Sequence, residues 1–419
     1  MTQLLDAIQY ILNLGAAVML PIMIILIGLI FRMKFGAALK SGLMVGIGFQ
    51  GLLLTISLLG ICIAPVITHY QAMGSGFATV DIGFAAVGAA SWTVPFAPIA
   101  VLAIIGINLL LLQFNLVKVM NVDIWNFIHF LIPGAMVYGI WGSFWGGLLV
   151  TIGISIITLY ISQWIAPTWG KHFGLEGTTC TCFSFIALTF PIAWTLNKIM
   201  DYIPGINKVN VDMDKIQKRL GFFGDPAIIG LIVGIFLGIL TRQNVGTCLQ
   251  IGVGLAAVLI LIPRMVGIMM EGLSSVGNAA TALMRKKMGK DKELYIGMDV
   301  AIGLGDPTCI TTTVLVIPLI ILFAFIIPDM SYFPVSVLGA ICYVAPLAVL
   351  ASKGNFMRSM VSMIVCSFLI IYCMNAFAPE ATQMMLATGV NNLPAEQITD
   401  ISFGINPACI LVAIISQLF

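Results

Sequence analysis

The chain has 419 residues, 60% of them hydrophobic and only 9% charged, and its 19 Lys and Arg against 17 Asp and Glu leave a net charge of +2. Soluble domains carry about 25% charged residues, so the composition excludes a soluble enzyme and describes an integral membrane protein. Nine cysteines are scattered without metal-ligand spacing, and His69, His129 and His172 lie in separate segments, which argues against a metalloenzyme. No cofactor and no nucleic-acid partner are expected.

Crossing a bilayer takes roughly 20 apolar residues. In chain order the candidate spans are 11–31, 43–66, 96–117, 125–141, 143–165, 227–241, 246–263, 308–327, 335–351, 359–378 and 404–419. The first is too long for a cleaved signal peptide and lacks a basic n-region, so it reads as the first span. Segment 227–241 is short and leans on its Pro226 flank or on little tilt. Basic residues cluster between spans. Arg32, Lys34 and Lys40 follow the first, and Lys198, Lys208, Lys215, Lys218 and Arg219 fill the central loop. Arg285, Lys286, Lys287, Lys290 and Lys292 follow the span ending near Arg264, Lys353 and Arg358 fill a late loop, and 379–402 has no Lys or Arg. The positive-inside tendency then puts the amino terminus outside and the basic loops in the cytoplasm, leaving Arg242 on the outer side.

Two stretches share one skeleton. Residues 28–42 read GLIFRMKFGAALKSG and 238–252 read GILTRQNVGTCLQIG; Gly28, Arg32, Gly36, Leu39 and Gly42 recur 210 positions on as Gly238, Arg242, Gly246, Leu249 and Gly252. With Arg32 inside and Arg242 outside, the halves are inverted, as in many transporters that hold substrate between their repeats. The expected fold is all-α and membrane-embedded, with about eleven transmembrane helices, re-entrant or interrupted segments and two inverted-topology repeats. Residues 1–196 and 226–419 form the halves, and 197–225 form a cytoplasmic, amphipathic linker with helical periodicity around Ile216 and Leu220. Glu271 falls in a further amphipathic helix after Arg264, lying along the membrane surface.

Between the clean spans lie segments too polar and Gly-rich for ordinary helices. Residues 79–95 (TVDIGFAAVGAASWTVP) match 297–307 (GMDVAIGLGDP), and 174–191 (GLEGTTCTCFSFIALTFP) match 395–407 (AEQITDISFGINP). Irregular backbone survives at membrane depth only where protein buries it or a wet cavity adjoins it. An ionisable residue there is expensive unless paired, which makes it a functional candidate. Asp81, Glu176, Asp299 and Asp306 are the best candidates. Asp81 and Asp299 either cap hairpin helices or contact substrate, and Asp306, before Pro307, has the same two readings. Asp225, before Pro226, reads as a cap. Glu176 with Thr178 and Thr179 forms a hydroxyl-rich pocket. His129 either bonds a polar ligand or satisfies a neighbouring helix, and Trp92 offers a face for a sugar ring; Trp141, Trp145, Trp164 and Trp169 read as membrane-interface residues. Carboxylates accept hydroxyl hydrogen bonds in pairs, with threonine and imidazole complementing them. Without Lys or Arg clustered in the interior, the set suits an uncharged polyol or sugar rather than an anion.

The opening LLDAIQYILNLGAAVMLPIMIILIG with MKFGAALKSGLMVGIGFQGL, the VNVDIWN at 121–127, the LEG at 175–177, DKIQKRLGFFGDP and YIGMDVAIGLG at 295–305 resemble the galactitol-type IIC permeases of the bacterial phosphoenolpyruvate-dependent sugar phosphotransferase system (PTS), over nearly the whole chain. The resemblance implies a homodimer among the lipids of the bacterial inner membrane, with a mobile core that carries substrate past a dimerising scaffold in elevator fashion. It also implies separate IIA and IIB proteins, with a IIB phosphocysteine phosphorylating the sugar. The IIC chain would hold no phosphorylated residue or catalytic centre of its own. After LEG this family pattern continues with a histidine, whereas this chain reads Thr178-Thr179-Cys180-Thr181-Cys182; Asp306-Pro307 likewise stands where the family can carry histidine. Those departures imply an altered pocket and a substrate that need not be galactitol.

Group translocation is therefore the expected function, with an ion-coupled secondary transporter, using Asp81, Asp299 or Glu176 for a proton or Na⁺, as the alternative. A scaffold without transport is disfavoured by the polar residues inside the bilayer. Single cysteines replacing Arg32 and Arg242 are expected to react with a membrane-impermeant maleimide from opposite sides; reaction of both from one side contradicts the inverted arrangement.

Overall fold

The computed structural model describes residues 16–73, 78–123, 125–205, 225–288, 294–389, 393 and 395–418. Most of the candidate linker (206–224), the start of the first span and the basic residues Lys208, Lys215, Lys218, Arg219, Lys290 and Lys292 lie outside the described residues. Among the described residues, five helices are long and apolar enough to cross a membrane. Shorter apolar helices stand between them, such as Ala97–Gln113 and Ile128–Trp141.

Two helical hairpins organise one side of the molecule. The first joins α1 (Ala16–Ile30) to α2 (Phe35–Met73), and further on α8 (Pro226–Leu240) leads into α9 (Val245–Met288). Each hairpin turns on an arginine in the left-handed region, Arg32 at φ 63° and Arg242 at φ 55°, a conformation that costs a non-glycine residue about 1 kcal/mol. The backbone bonds that close the turns correspond one for one. Phe31, Arg32 and Met33 donate to the carbonyls of Ile27, Leu29 and Gly28; Thr241, Arg242 and Gln243 donate to those of Leu237, Ile239 and Gly238. Long contacts run between α2 and α9, and Gln243 Nε2 donates to Pro65 O at 3.3 Å, tying the second turn to the first hairpin.

The sequence expectation ends a span near Arg264, but α9 runs through Pro263 to Met288 without a break. A proline removes one ladder bond, and packing of neighbours can hold the helix across it; here the stretch around Met265 and Met269 packs against α2 at Gly48, where a Cβ would approach Met265 O within 2.7 Å. Glu271 is thus part of a spanning-length helix rather than of a separate surface helix. At 44 residues that helix is about 66 Å long.

The other elements are shorter and repeatedly interrupted. They are β1 (Thr79–Asp81), α3 (Phe84–Ser91), α4 (Ala97–Gln113), β2 (Val119–Asn121), a 3₁₀ turn (Trp125–Phe127), α5 (Ile128–Trp141), α6 (Phe144–Phe173), β3 (Thr178–Cys180), a π segment (Phe185–Thr189) and α7 (Phe190–Tyr202). After α9 come β4 (Tyr295–Met298), a 3₁₀ segment (Val300–Gly305), α10 (Pro307–Ile326), α11 (Val335–Ala340), a 3₁₀ turn (Ile341–Tyr343), α12 (Ala345–Ala351), α13 (Phe356–Ala376), α14 (Ala378–Ala387), β5 (Gln397–Thr399), α15 (Ile401–Ile405) and α16 (Pro407–Leu418). The expected span 335–351 is therefore two helices joined by a 3₁₀ turn, and 404–419 is divided at Asn406.

The strands form two small parallel sheets that bring distant parts of the chain together. β4 lies between β2 and β3, with Asn121 and Thr179 both opposite Gly297. β1 pairs with β5, Asp81 opposite Thr399, and Thr79 N–H donates to Ser331 O on its other side. In each sheet every pairing joins a strand from before α8 to one from after it: β1 with β5, and β2 and β3 with β4. Such pairing satisfies extended backbone that lipid could not.

Close helix contact is set by glycines at one crossing in particular. A Cβ on Gly147 of α6 would lie 2.7 Å from Gly134 O of α5 and 2.6 Å from the Phe96 ring. Gly147→Val is expected to destabilise the protein by about 1–3 kcal/mol, seen as a lower melting temperature in detergent; an unchanged melt contradicts this packing.

Candidate functional site

Four of the five described strands end on or are followed by an aspartate whose carboxylate accepts a backbone N–H at or just before the start of the next short helix. Asp81 Oδ1 accepts from Gly83 N at 3.2 Å, Asp123 Oδ1 from Asn126 N at 3.3 Å, Asp299 Oδ1 from Ala301 N at 2.7 Å and Asp400 Oδ1 from Ser402 N at 2.8 Å. A helix start leaves backbone N–H groups without partners, and a carboxylate there meets both that need and the helix dipole. The same device carries four acidic groups into the interior. After β3 the place is taken by Cys182, whose Sγ accepts from Val300 N at 3.1 Å.

Because β2, β3 and β4 are neighbours, two of these carboxylates meet. Asn126 Nδ2 donates to Asp123 Oδ2 at 2.8 Å and to Asp299 Oδ2 at 3.0 Å, with Cys182 Sγ at 3.1 Å. An amide nitrogen carries only two protons, so three acceptors compete for them. The cluster is braced from behind: Asp123 N donates to Asn121 Oδ1 at 3.1 Å, Asn121 N to Asn108 Oδ1 at 2.9 Å, and Asn108 Nδ2 to Val119 O at 2.8 Å. Thr181 Oγ1 adds a donor to Asn121 Oδ1 at 3.2 Å.

This cluster faces a cavity of about 180 Å³, some six times the ~30 Å³ share of one liquid water. Asn126, His129, Cys182, Asp299 and Tyr343 line its polar side. Phe49 and Leu53 of α2, Phe84 of α3, Phe185 of the π segment, and Ile401 and Ile405 of α15 form the apolar side. His129 is buried on α5, its Nδ1 2.8 Å from Ser184 Oγ, and its ring lies between Phe84 and Phe185 at centroid distances of 5.9 and 5.5 Å. Asn406, at the break between α15 and α16, donates to His129 O at 2.8 Å. A hydroxylated solute would find acceptors on the carboxylate side and apolar contact opposite. Among the described residues no three His, Cys, Asp or Glu side chains converge as metal ligands.

Of the residues singled out in the sequence, Asp299 and His129 come together at this cavity. The others stand elsewhere. Asp81 is spent on two backbone donors, Gly83 N and Ser336 N at 2.7 Å, in the second sheet. Beside it the wholly buried Asp400 keeps one oxygen, Oδ2, without a hydrogen bond. Glu176 is exposed on the turn before β3. The hydroxyls of Thr178 and Thr179 are buried and donate to Leu175 O at 2.8 Å and Ser162 O at 2.7 Å. Trp92 is buried at the end of α3 with its Nε1 unpartnered. Asp306 caps α10 through Thr308 N at 2.7 Å and lies 3.2 Å from His172 Nε2. Asp225 caps α8 through Ala227 N at 2.8 Å, as its Pro226 neighbour suggests.

Sequence reasoning missed Asp123, Asn126, Cys182 and Tyr343. A signal for the first two was present: V-D at 122–123 repeats the V-D at 80–81, each at the end of a short β-branched run. Cys182 and Tyr343 had no local signal, since only the sheet and the break after α11 bring them to the cavity.

A bundle of apolar helices enclosing a polar cavity of this kind has the architecture of a membrane permease. The family model EIIC-GAT, described as the PTS system sugar-specific permease component, matches residues 10–396. The chain is 32% identical over 398 residues to a provisionally named permease IIC component of Escherichia coli (strain K12), covering 94% of this chain and 91% of the relative. It is 33% identical over 361 residues to the PTS system galactitol-specific EIIC components of Escherichia coli (strain K12) and of Escherichia coli O157:H7, covering 85% of this chain and 79% of each relative. The chain therefore belongs to the EIIC-GAT family of PTS sugar-specific permease components.

Removing the shared donor should expose the two carboxylates to each other. Asn126→Ala is expected to cost about 1–3 kcal/mol, as for a buried polar group left unmade, and more than Asp123→Asn, read as melting temperatures of the purified protein. Equal melts for the wild type and Asn126→Ala contradict the bridging role.

Proposed function

We propose that the chain is the IIC permease of a sugar phosphotransferase system, moving a polyol or sugar across the bacterial inner membrane for phosphorylation by a separate IIB protein, itself supplied by a IIA protein. The observation that carries the site assignment is the Asn126 amide held between Asp123 and Asp299 at the cavity wall. Asp299 presents a carboxylate acceptor to a solute hydroxyl, held in place by Asn126; His129 and Tyr343 add polar groups, and Phe84 and Phe185 pack against its C–H face. The galactitol named for two relatives makes a hexitol the first solute to try. The other sequence candidates act by shaping the backbone: Asp81 and Asp306 as caps, and Thr178 and Thr179 as locks on β3.

An elevator motion fits this wall. α2 contributes only Phe49 and Leu53 to the cavity, so the groups that would hold the solute belong to the other elements. A wall without polar contacts lets those elements slide along the α1–α2 and α8–α9 hairpins without breaking hydrogen bonds to substrate. The hairpins carry outward apolar residues such as Ile22, Leu26, Ile232 and Phe236, suited to lipid and to a second copy in a homodimer. The corresponding turns at Arg32 and Arg242 and the pairing in each sheet of strands from the two halves support two repeats, 1–196 and 226–419, about the linker 197–225. An inverted orientation with the amino terminus outside accords with the loop charges.

Vesicles containing the permease and its IIA and IIB partners are expected to take up labelled hexitol only with phosphoenolpyruvate, and to deliver it phosphorylated. Uptake of unmodified solute that an ionophore abolishes contradicts this and favours ion coupling. Asp299→Asn is expected to weaken hexitol binding at least tenfold, about 1.4 kcal/mol, in calorimetric titration; unchanged affinity removes Asp299 from the site.

A further inference from the structure

A second recess, of about 600 Å³, opens where α6 ends against the turn between α12 and α13; Thr168, Lys171, His172, Leu350 and Lys353 are among the residues that line it. Its geometry is fixed by the turn. Lys353 and Gly354 both adopt left-handed conformations, at φ 53° and 76°, and donate to Leu350 O and Val349 O at 3.1 and 3.0 Å. Asn197 Nδ2 of α7 donates to Ser352 Oγ at 3.0 Å, and Asn355 Oδ1 accepts from Arg358 N at 3.1 Å. Gly354 lies so close to α6 that a Cβ would sit 3.1 Å from His172 Cε1. The backbone of Lys353 is thus fixed at the edge of the recess.

Two nearby acids are already engaged. Asp306 lies 3.2 Å from His172 Nε2. Asp201 takes Arg358 Nη1 at 2.6 Å, a hydrogen bond that holds its carboxyl below the usual carboxylate range. Glu176, on the turn after α6, is not among the lining residues. The recess is thus lined by two lysines, Lys171 and Lys353, whose combined charge matches a phosphate monoester dianion. It also adjoins the solute cavity through one rigid piece of backbone. Asp299 at the cavity and Asp306 beside the recess flank the two ends of the 3₁₀ segment Val300–Gly305, about 14 Å apart at ~2 Å per residue.

We propose that this recess binds a phosphoryl group, with Lys171 and Lys353 contacting its oxygens and His172, steadied by Asp306, forming its floor. The inference rests on the reading of the chain as a IIC permease, since that function creates a phosphate ester at this protein; the ester of the transported solute and a phospholipid headgroup are the two sources of such a group.

The test uses the full-length protein in a neutral, phosphate-free detergent, titrated calorimetrically with inorganic phosphate. Saturable binding that weakens as salt rises and falls at least tenfold in Lys171→Gln/Lys353→Gln is the expected result, with Lys198→Gln, on the same face but outside the recess, binding as the wild type does. Melting temperatures check that the double variant remains folded. A hexitol phosphate that binds more tightly than inorganic phosphate assigns the group to the transported solute; glycerophosphoglycerol binding as tightly as the hexitol phosphate assigns it to lipid. Absence of saturable phosphate binding, or equal binding by the double variant, overturns the proposal. Hexitol titrated into the same preparation separates the two readings, because hexitol binding without phosphate binding sinks only the recess, and the reverse sinks only the cavity.

Discussion

A peptide group at membrane depth has no water to bond, so each place where this chain stops being a helix must supply partners from within. At four of its five described strands the protein meets that demand in the same way: a three- or four-residue parallel strand with an aspartate at or after its end that accepts free backbone N–H groups near the next short helix. The strands satisfy each other's backbone across the two small sheets, and the aspartates satisfy the first free amides of the helices. What remains is charge. Carboxylates brought inside as caps have second oxygens to satisfy, and in the β2–β4–β3 sheet two of those oxygens fall on one amide, that of Asn126. The polar chemistry of the cavity is thus a consequence of how the backbone is broken.

The cavity's two sides then divide the labour of binding and moving. Groups able to hold hydroxyls sit on the interrupted elements, which are tied to one another by the strands, by Asn406 reaching His129 O and by Asn121 linking Asp123 to β3. The face from α2 is apolar. A solute held this way is coupled to one body and only in contact with the other, which is the mechanical condition for carrying it. The recess proposed beside Asp306 lies at the opposite end of the same 3₁₀ segment that follows Asp299.

Much of the architecture is legible in the sequence because it follows from apolar length and from turn residues. The Arg32 and Arg242 stretches share glycine spacing, and their turns close with corresponding bonds. Asp225-Pro226 reads as a helix start and is one. Asp81 and Asp299 stand out because each is a lone charge in an apolar, Gly-rich stretch. Other features are invisible locally. A proline alone does not decide a break: Pro346 and Pro407 stand in the first turns of the helices that follow the breaks in 335–351 and at Asn406, whereas Pro263 is a helix breaker overridden by the α2 contact. Glu176 and Asp123 show the limit at the site itself. Both follow apolar sequence, but one falls on an exposed turn and the other inside a sheet, and only the strand pairing decides which.

The central claim, that the Asp123–Asn126–Asp299 cluster is where the transported solute sits, is tested most directly by an experimental structure of the protein with a hexitol bound. The account predicts solute density within hydrogen-bond distance of Asp299 and Asn126, with Phe84 or Phe185 against its carbon chain. Density at the Asp81–Asp400 sheet, or on the outer faces of the α1–α2 and α8–α9 hairpins, with the Asn126 cluster left as it is, would contradict it.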